Sequence, residues 1–139
     1  MKKNLFEKKW LDLFISHMTP HGHILDVGCG SAEPIAKYFI EEKFQISGVD
    51  YSKAMIDLAK NNYPQLLWKV VDMRNLNMEN QYDGLVAWNS FFHLKQSDQP
   101  MVLSLFAKHL KSGAPLLFTA GPEKGEVRGK IAGRDVYHS

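Results

Sequence analysis

This sequence of 139 residues is poor in several features that define particular protein classes. It has one cysteine, which excludes an internal disulfide framework. No apolar run approaches the roughly 20 residues that a membrane-spanning helix needs, and charges interrupt the amino-terminal segment where a signal peptide would be apolar. The formal net charge is only +2, and the basic residues are scattered, unlike those of nucleic-acid binders. These absences predict a cytoplasmic protein that binds neither a membrane nor nucleic acid.

The remaining composition, 45% apolar and 23% charged, predicts a single globular domain over residues 1–139. Apolar runs typical of buried strands alternate with segments of helical period. This alternation predicts an α/β fold: a Rossmann-like, doubly wound, mostly parallel sheet with helices on both faces. We expect five strands, at residues 24–27, 45–50, 66–71, 82–87 and 116–119, and helices at residues 5–18, 34–42 and 97–110, with another that Ser52 caps.

The last segment, residues 121–139, has no helical or strand period, and glycines recur at every fourth position among its charges. We expect a flexible lobe with room for a short hairpin around Val127 and Val136. The fifth strand would then be an unpaired edge, which is prone to pairing. We expect this edge either to be fragile or to be covered by a partner chain, for which a second copy is one candidate.

The most informative stretch is the turn after the first strand. Gly28 and Gly30 flank Cys29 there, and a helix begins near Pro34. Glycines let a ligand approach the main chain closely, and free N–H groups at a helix start favour a negative group. The turn therefore predicts a nucleotide or carboxylate cradle at the carboxyl end of the first strand.

Acidic residues end three consecutive predicted strands, at Asp26, Asp50 and Asp72. The carboxyl ends of parallel strands share one edge of the sheet, where ligands bind. Asp50 follows Gly28 by 22 positions, a spacing at which an acid accepts hydrogen bonds from the ribose hydroxyls of an adenosine-containing cofactor.

These motifs resemble, in order and spacing, those of the class I S-adenosylmethionine-dependent methyltransferases. The resembling stretches are residues 24–32, 48–55, 71–73, 82–88 and the turn at 110–114, so the likeness covers about residues 20 to 120. One departure is Ala32, which stands where the family usually has a third glycine. The family usually adds a helix and two antiparallel strands after the fifth strand, and this chain is expected to lack them, either as a shortened chain or as a short variant.

The resemblance implies S-adenosyl-L-methionine as the cofactor and a small molecule as the methyl acceptor. Methyl transfer from a sulfonium needs chiefly alignment of donor and acceptor and exclusion of water. For the methionine end of the cofactor, the resemblance implies Asp26 as a partner of the loop or the ammonium group, Gly28, Cys29 and Gly30 beside the methionine part, and Ala87 and Trp88 at the methyl end. Asp50 would bind the ribose. For the adenine, it implies Tyr51 or Met55 at the ring face and Asp72 and Met73 at the ring edge.

Several polar residues have a structural interpretation beside the functional one. His93 follows the fourth strand and is a candidate general base, or a histidine that closes the site by hydrogen bonding. Asp72 is a candidate turn cap as well as a ligand group. Cys29 is explained by the need for a small residue in the turn, without a nucleophilic role. His21 and His23 have the spacing of a metal pair, but no third ligand is apparent, so we expect no metal.

Two other functions compete with methyl transfer. A nicotinamide-dependent oxidoreductase needs Gly-x-Gly-x-x-Gly, but the last position here is Glu33, which would repel a pyrophosphate. The other alternative is a domain that binds the adenosyl cofactor without catalysis. The aromatic residues Trp88, Phe91 and Phe92 suggest a small, partly apolar acceptor.

Overall fold

The computed structural model describes residues 5–88, 94–119, 127–131 and 134–138. Helices and strands alternate through most of this range, as the sequence predicted. The elements are α1 (Leu5–Ile15), β1 (His23–Val27), α2 (Ile35–Glu41), β2 (Gln45–Asp50), α3 (Lys53–Asn62), β3 (Leu67–Val70), β4 (Gly84–Ala87), α4 (Gln99–Lys108), β5 (Leu116–Thr119), β6 (Val127–Ile131) and β7 (Arg134–His138), with short 3-10 turns at Met73–Asn75 and Gln96–Asp98.

The strands form one sheet in the order β3-β2-β1-β4-β5-β6-β7. β1 to β5 are parallel throughout, which confirms the predicted Rossmann-like arrangement. β1 lies between β2 and β4, and Asp26 is in register with Gly48 on one side and Val86 on the other. From β1 the chain runs outward to β2 and β3 and then returns to β4 on the other side of β1, so a crevice opens at the carboxyl ends of the strands there.

The prediction that β5 is an unpaired edge was wrong. β6 pairs with β5 in antiparallel register from Leu116↔Lys130 to Thr119↔Val127, and β7 pairs with β6. The hairpin expected around Val127 and Val136 therefore exists, but it extends the five parallel strands instead of forming a separate lobe. The sequence of the hairpin shows no clear alternation of apolar and polar residues, so its strands were not predicted. The backbone N–H and C=O groups of β5 need hydrogen-bond partners whatever the side chains of the pairing strand are. No second copy is needed to cover β5.

Two apolar layers cover the faces of the sheet, because successive strand residues point to opposite sides. Ile24 faces the layer that contains α1, α2 and α3, and Leu25 faces the layer that contains α4. Phe14 of α1 packs in the first layer with its ring 5.5 Å from the ring of Phe39, so α1 belongs to the core. None of the helices in the described parts of the chain is long and apolar enough to cross a membrane.

The helix cap at the start of α3 lies next to the end of β2. The hydroxyl of Ser52 accepts a hydrogen bond from the backbone N–H of Met55 at 3.2 Å, which confirms the predicted cap. This cap fixes the first turn of α3 directly after Asp50, at the edge where the crevice opens.

Candidate functional site

A cavity of about 540 Å³ lies at the carboxyl ends of β1, β2 and β3. Its volume is in the range of small-molecule and cofactor sites. Its place beside the switch in strand order is where ligands bind in sheets of this kind. It is lined by Val27, Gly28, Asp50, Tyr51, Val71, Asp72, Met73, Arg74, Leu94, Lys95 and Asp98.

The glycine loop turns its donors inward. The N–H groups of Gly28 and Cys29 donate to the Val49 carbonyl at 2.8 and 3.0 Å, and the N–H of Gly30 donates to Oδ1 of Asp50 at 3.0 Å. The positive φ angles of Gly28 and Gly30, 81° and 58°, explain why glycine is needed at both positions. These three N–H groups are not free for a negative ligand, because they donate to acceptors in β2. The predicted cradle is therefore wrong for these donors.

Asp50 has protein partners that the sequence did not reveal. Besides the bond from Gly30, its Oδ2 atom accepts a hydrogen bond from the N–H of Ser52 at 2.9 Å. A carboxylate accepts at about four lone-pair positions, so these two bonds leave acceptor capacity toward the cavity that Asp50 lines.

Asp26 is buried below the glycine loop with an unsatisfied oxygen. Asp26 is 2% exposed, and its Oδ2 atom accepts no hydrogen bond from any residue in the described parts of the chain. Burial raises the pKa of Asp26 to about 7, and the negative charge of Asp50 adds to the rise. An unpaired buried acceptor of this kind is unfavourable, and a cation bound nearby would relieve it.

Asp72 is a turn cap, the structural interpretation that the sequence left open. Its Oδ1 atom accepts from the N–H of Arg74 at 3.0 Å, and its Oδ2 atom lies 2.6 Å from Nη2 of the same residue. The hydrogen bonds from Arg74 lower the pKa of Asp72. Asp72 also lines the cavity, so its role toward a ligand stays a prediction.

The other predicted residues divide between the rim and the interior. Tyr51 lines the cavity and is 76% exposed, and Met55 is 38% exposed on the first turn of α3. A Cβ atom added to Gly30 would lie 3.9 Å from Sδ of Met55, so Met55 borders the glycine loop. Met73 lines the cavity, while Ala87 and Trp88 are buried at the end of β4 and are not among its lining residues.

Cys29 is buried, and its burial, together with the charges of Asp26 and Asp50, raises the pKa of the thiol. A neutral, inaccessible thiol is a poor nucleophile, in agreement with the interpretation that the turn needs a small residue. His93, Phe91 and Phe92 lie outside the described residues.

The histidine pair considered for a metal lies at the opposite edge of the sheet. Nδ1 of His21 is 3.2 Å from the Lys43 carbonyl, and Nε2 of His23 is 2.8 Å from Oγ of Ser47. The part of the chain that the structure describes contains no group of three or more His, Cys, Asp or Glu side chains placed to hold a metal ion.

Sequence reasoning missed three charged residues of the cavity, Arg74, Lys95 and Asp98. Arg74 stands two positions after a strand-end acid, and that Asp-x-Arg spacing was the available signal. Lys95 and Asp98 come from the segment before α4, which is distant in sequence from the strand ends. Only the packing of that segment across the crevice brings them to the site.

The sequence is similar to those of known methyltransferases. Residues 24–113 match the methyltransferase domain family. This chain is 30% identical over 105 residues to an O-methyltransferase of Pyrenophora dematioidea, covering 70% of this chain and 39% of that protein. It is 28% identical over 102 residues to an O-methyltransferase of Penicillium expansum, covering 68% of this chain and 36% of that protein.

A solved structure, DesVI of Streptomyces venezuelae, has a similar fold, with a TM-score of 0.72 and 21% identity over 89% of this chain and 60% of that chain. The chain belongs to the methyltransferase domain family, because the match extends over more than half of its residues. The resemblance found in the sequence is thereby confirmed for family and fold. The chain spans at most about two fifths of the length of these two curated relatives.

Proposed function

We propose that this domain binds S-adenosyl-L-methionine in the cavity and transfers its methyl group to a small-molecule acceptor. The observation that carries the proposal is the charge of the site. Three acidic residues, Asp50, Asp72 and Asp98, line it against two basic ones, Arg74 and Lys95. Arg74 is already paired with Asp72, and Asp26 lies buried close enough to Asp50 to respond to its charge. Such a site suits a ligand that carries positive charge.

The same charges argue against a dinucleotide. A pyrophosphate is bound by free backbone N–H groups at a helix start, and the donors of Gly28, Cys29 and Gly30 are engaged within the protein. The acceptor of the Gly30 bond is itself a carboxylate, Asp50, which would repel a phosphate. S-adenosylmethionine carries an ammonium and a sulfonium group instead, and the unsatisfied Oδ2 atom of buried Asp26 fits a cation.

The proposed cofactor contacts are those that the family resemblance implies, and among these residues Gly28, Asp50, Tyr51, Asp72 and Met73 line the cavity. The remaining acceptor positions of Asp50 would hold the ribose hydroxyls, and Tyr51 and Met55 would cover the adenine from the rim. Asp72 and Met73 would meet the adenine edge. The set is completed by Asp26, Gly28, Cys29 and Gly30 for the methionine part, and by Ala87 and Trp88 for the methyl end.

The bound cofactor would supply an activated methyl group and leave as a neutral thioether. The task of the chain is then alignment and exclusion of water, since the site need not build charge on a leaving group. The hydrogen bonds from Gly30 and Ser52 to Asp50 hold this carboxylate in place and so serve the alignment. A general base is needed only if the acceptor must lose a proton, and for that role His93 stays a prediction.

The test is calorimetric titration of the chain with S-adenosylmethionine, S-adenosylhomocysteine and NAD. We expect micromolar binding of the two adenosyl ligands and a loss of about tenfold or more in Asp50→Asn, which keeps an acceptor oxygen but removes the charge. Asp57→Asn is the matched control, because Asp57 is exposed on α3 and pairs with Lys53. Binding of NAD alone would contradict the proposal.

Turnover separates the catalytic proposal from the non-catalytic alternative. Consumption of S-adenosylmethionine in a screen of small acceptors supports transfer, while tight binding without turnover on any acceptor favours a binding domain. The cytoplasmic location, the small partly apolar acceptor and the absence of membrane and nucleic-acid partners stay predictions from the sequence.

A further inference from the structure

Arg74 joins two walls of the cavity that come from distant parts of the chain. It lies in the 3-10 turn after β3, and its Nη2 atom is 2.6 Å from Oδ2 of Asp72. Its Nη1 atom is 3.9 Å from Oδ2 of Asp98, in the turn that leads into α4. All three residues line the cavity. The guanidinium therefore links the β3 wall to the α4 wall.

The contacts with Arg74 hold the Asp72 carboxylate in one orientation. The backbone N–H and the Nε–H of Arg74 donate to Oδ1 at 3.0 and 3.1 Å, Nε–H also reaches Oδ2 at 3.2 Å, and Nη2–H donates to Oδ2 at 2.6 Å. These contacts come from three N–H groups, whereas a carboxylate has about four lone-pair positions. One acceptor position is left, and the planar guanidinium determines where it points.

We propose that Arg74 is a positioning residue that makes the cavity select a 6-aminopurine over a 6-oxopurine. This inference rests on the proposed function, since it takes the adenosyl group as the ligand at this end of the cavity. The amino group of adenine can donate to the remaining acceptor position of Asp72. A 6-oxo group would bring a second acceptor to the same place, and a site built around a hydrogen bond rejects an analogue that cannot make it.

The test compares S-adenosylhomocysteine with its 6-oxo analogue, S-inosylhomocysteine, by calorimetric titration of the full chain. We expect the wild-type chain to prefer the adenosyl ligand by about tenfold or more. In Arg74→Ala the preference should fall to about threefold or less, mainly through weaker binding of the adenosyl ligand. Arg74→Lys keeps the charge but not the planar fork, so its selectivity should also stay low.

Two further variants complete the design. Lys69→Ala removes an exposed cation from β3 that is not among the residues lining the cavity, and its selectivity should equal that of the wild type. Asp98→Asn weakens the second contact of Arg74 and should give an intermediate selectivity. Circular dichroism on each variant confirms that it is folded before titration.

Wild-type selectivity in Arg74→Ala would overturn the role of Arg74, and so would an equal loss of affinity for both ligands, which indicates a general structural effect. Full recovery of selectivity in Arg74→Lys would show that charge, not orientation, is responsible, and would also overturn it. If the wild-type chain binds neither nucleoside, the proposed function itself fails. If it binds S-adenosylhomocysteine but Arg74→Ala leaves the selectivity unchanged, only this inference fails.

Discussion

The carboxylate of Asp50 accepts a hydrogen bond from the backbone N–H of Gly30, with 3.0 Å between Oδ1 and the nitrogen. Asp50 ends β2 and Gly30 lies in the loop after β1, so this bond holds the glycine loop against the neighbouring strand. The other oxygen accepts from Ser52 at 2.9 Å. One side chain thereby joins the loop, the end of β2 and the start of α3, and it is part of the scaffold as well as a candidate ligand group.

Removal of that carboxylate should weaken the fold even without a ligand. In Asp50→Ala the N–H groups of Gly30 and Ser52 lose a charged acceptor, and we expect the free energy of unfolding to fall by about 1–3 kcal/mol. Urea unfolding measures the change. Asp57→Ala, on the exposed face of α3, should change stability by less than about 0.5 kcal/mol. Equal effects of the two variants would contradict a scaffold role for Asp50.

Asp26 should make the fold less stable as the pH rises. Burial, with the charge of Asp50, raises its pKa from 3.8 to about 7 in the folded chain. A group with a higher pKa in the folded state binds more protons when folded, so its favourable contribution is present in acid and is lost as the pH rises through this interval. Asp26→Asn removes the titration and should therefore be more stable than wild type above neutrality, by about 1–3 kcal/mol.

The measurement is urea unfolding of both proteins in a series from acid to mildly alkaline pH. The advantage of Asp26→Asn should shrink toward the acid end, where the wild-type carboxyl is protonated. A difference that stays constant with pH would show that the substitution acts by some other means. The same variant should bind S-adenosylmethionine more weakly if Asp26 contacts its cationic part, so stability and binding would move in opposite directions.

Asp72 should show the opposite dependence on pH. The hydrogen bonds from Arg74 lower its pKa below 3.8, so its contribution to stability is present at neutral pH and is lost as the pH falls through and below that value. Asp72→Asn should be less stable than wild type at neutral pH, and the two should converge in acid. The same pH series measures it. Slopes of equal sign for the Asp26 and Asp72 variants would contradict the electrostatic account.

Gly48 in β2 should be intolerant of any side chain. A Cβ atom there would lie 2.5 Å from Cε3 and Cζ3 of Trp68 and 2.9 Å from Sγ of Cys29. The indole cannot move freely, because its Nε1–H donates to the Tyr63 carbonyl at 2.8 Å. We expect Gly48→Ala to reduce the free energy of unfolding by about 1–3 kcal/mol.

A double-mutant cycle isolates this steric cause. In a Trp68→Leu background the additional effect of Gly48→Ala should be smaller, because the smaller side chain leaves room for the Cβ atom. Gly113→Ala shows the opposite case, backbone strain without a steric contact, since Gly113 has a φ of 82° and nothing lies within 4 Å of an added Cβ, whereas Gly48 has no positive φ. Equal effects of Gly48→Ala in both backgrounds would exclude the Trp68 contact as the cause.

Most of the parallel sheet could be read from the sequence because its signals are local. The strand predicted at residues 45–50 is β2, Gln45–Asp50, with the same bounds, and the strand predicted at residues 116–119 is β5, Leu116–Thr119. Ser52 caps α3 as predicted. Each of these features depends on side chains that are neighbours in the chain: an apolar run, a breaker after it, or a hydroxyl at a helix start. Family membership followed from the same local motifs.

The predictions that failed concerned hydrogen bonds between segments distant in the sequence. The N–H of Gly30 meets Asp50 only because β1 and β2 are neighbours in the sheet. The pairing of β6 with β5 is a main-chain contact, and side-chain periodicity carries little information about it. Arg74 was passed over because its role depends on two partners, and one of them, Asp98, arrives with α4.

Residue types and their spacing were therefore sufficient for the order of the helices and of the parallel strands through β5, the presence of three acids at one edge of the sheet, and the family. The folded arrangement alone decided which of those acids are engaged and which is not. Asp50 and Asp72 have backbone and guanidinium donors, whereas Oδ2 of Asp26 has no donor among the described residues. The reason is physical: a carboxylate's charge state and free lone pairs depend on its burial and on the donors that packing brings to it.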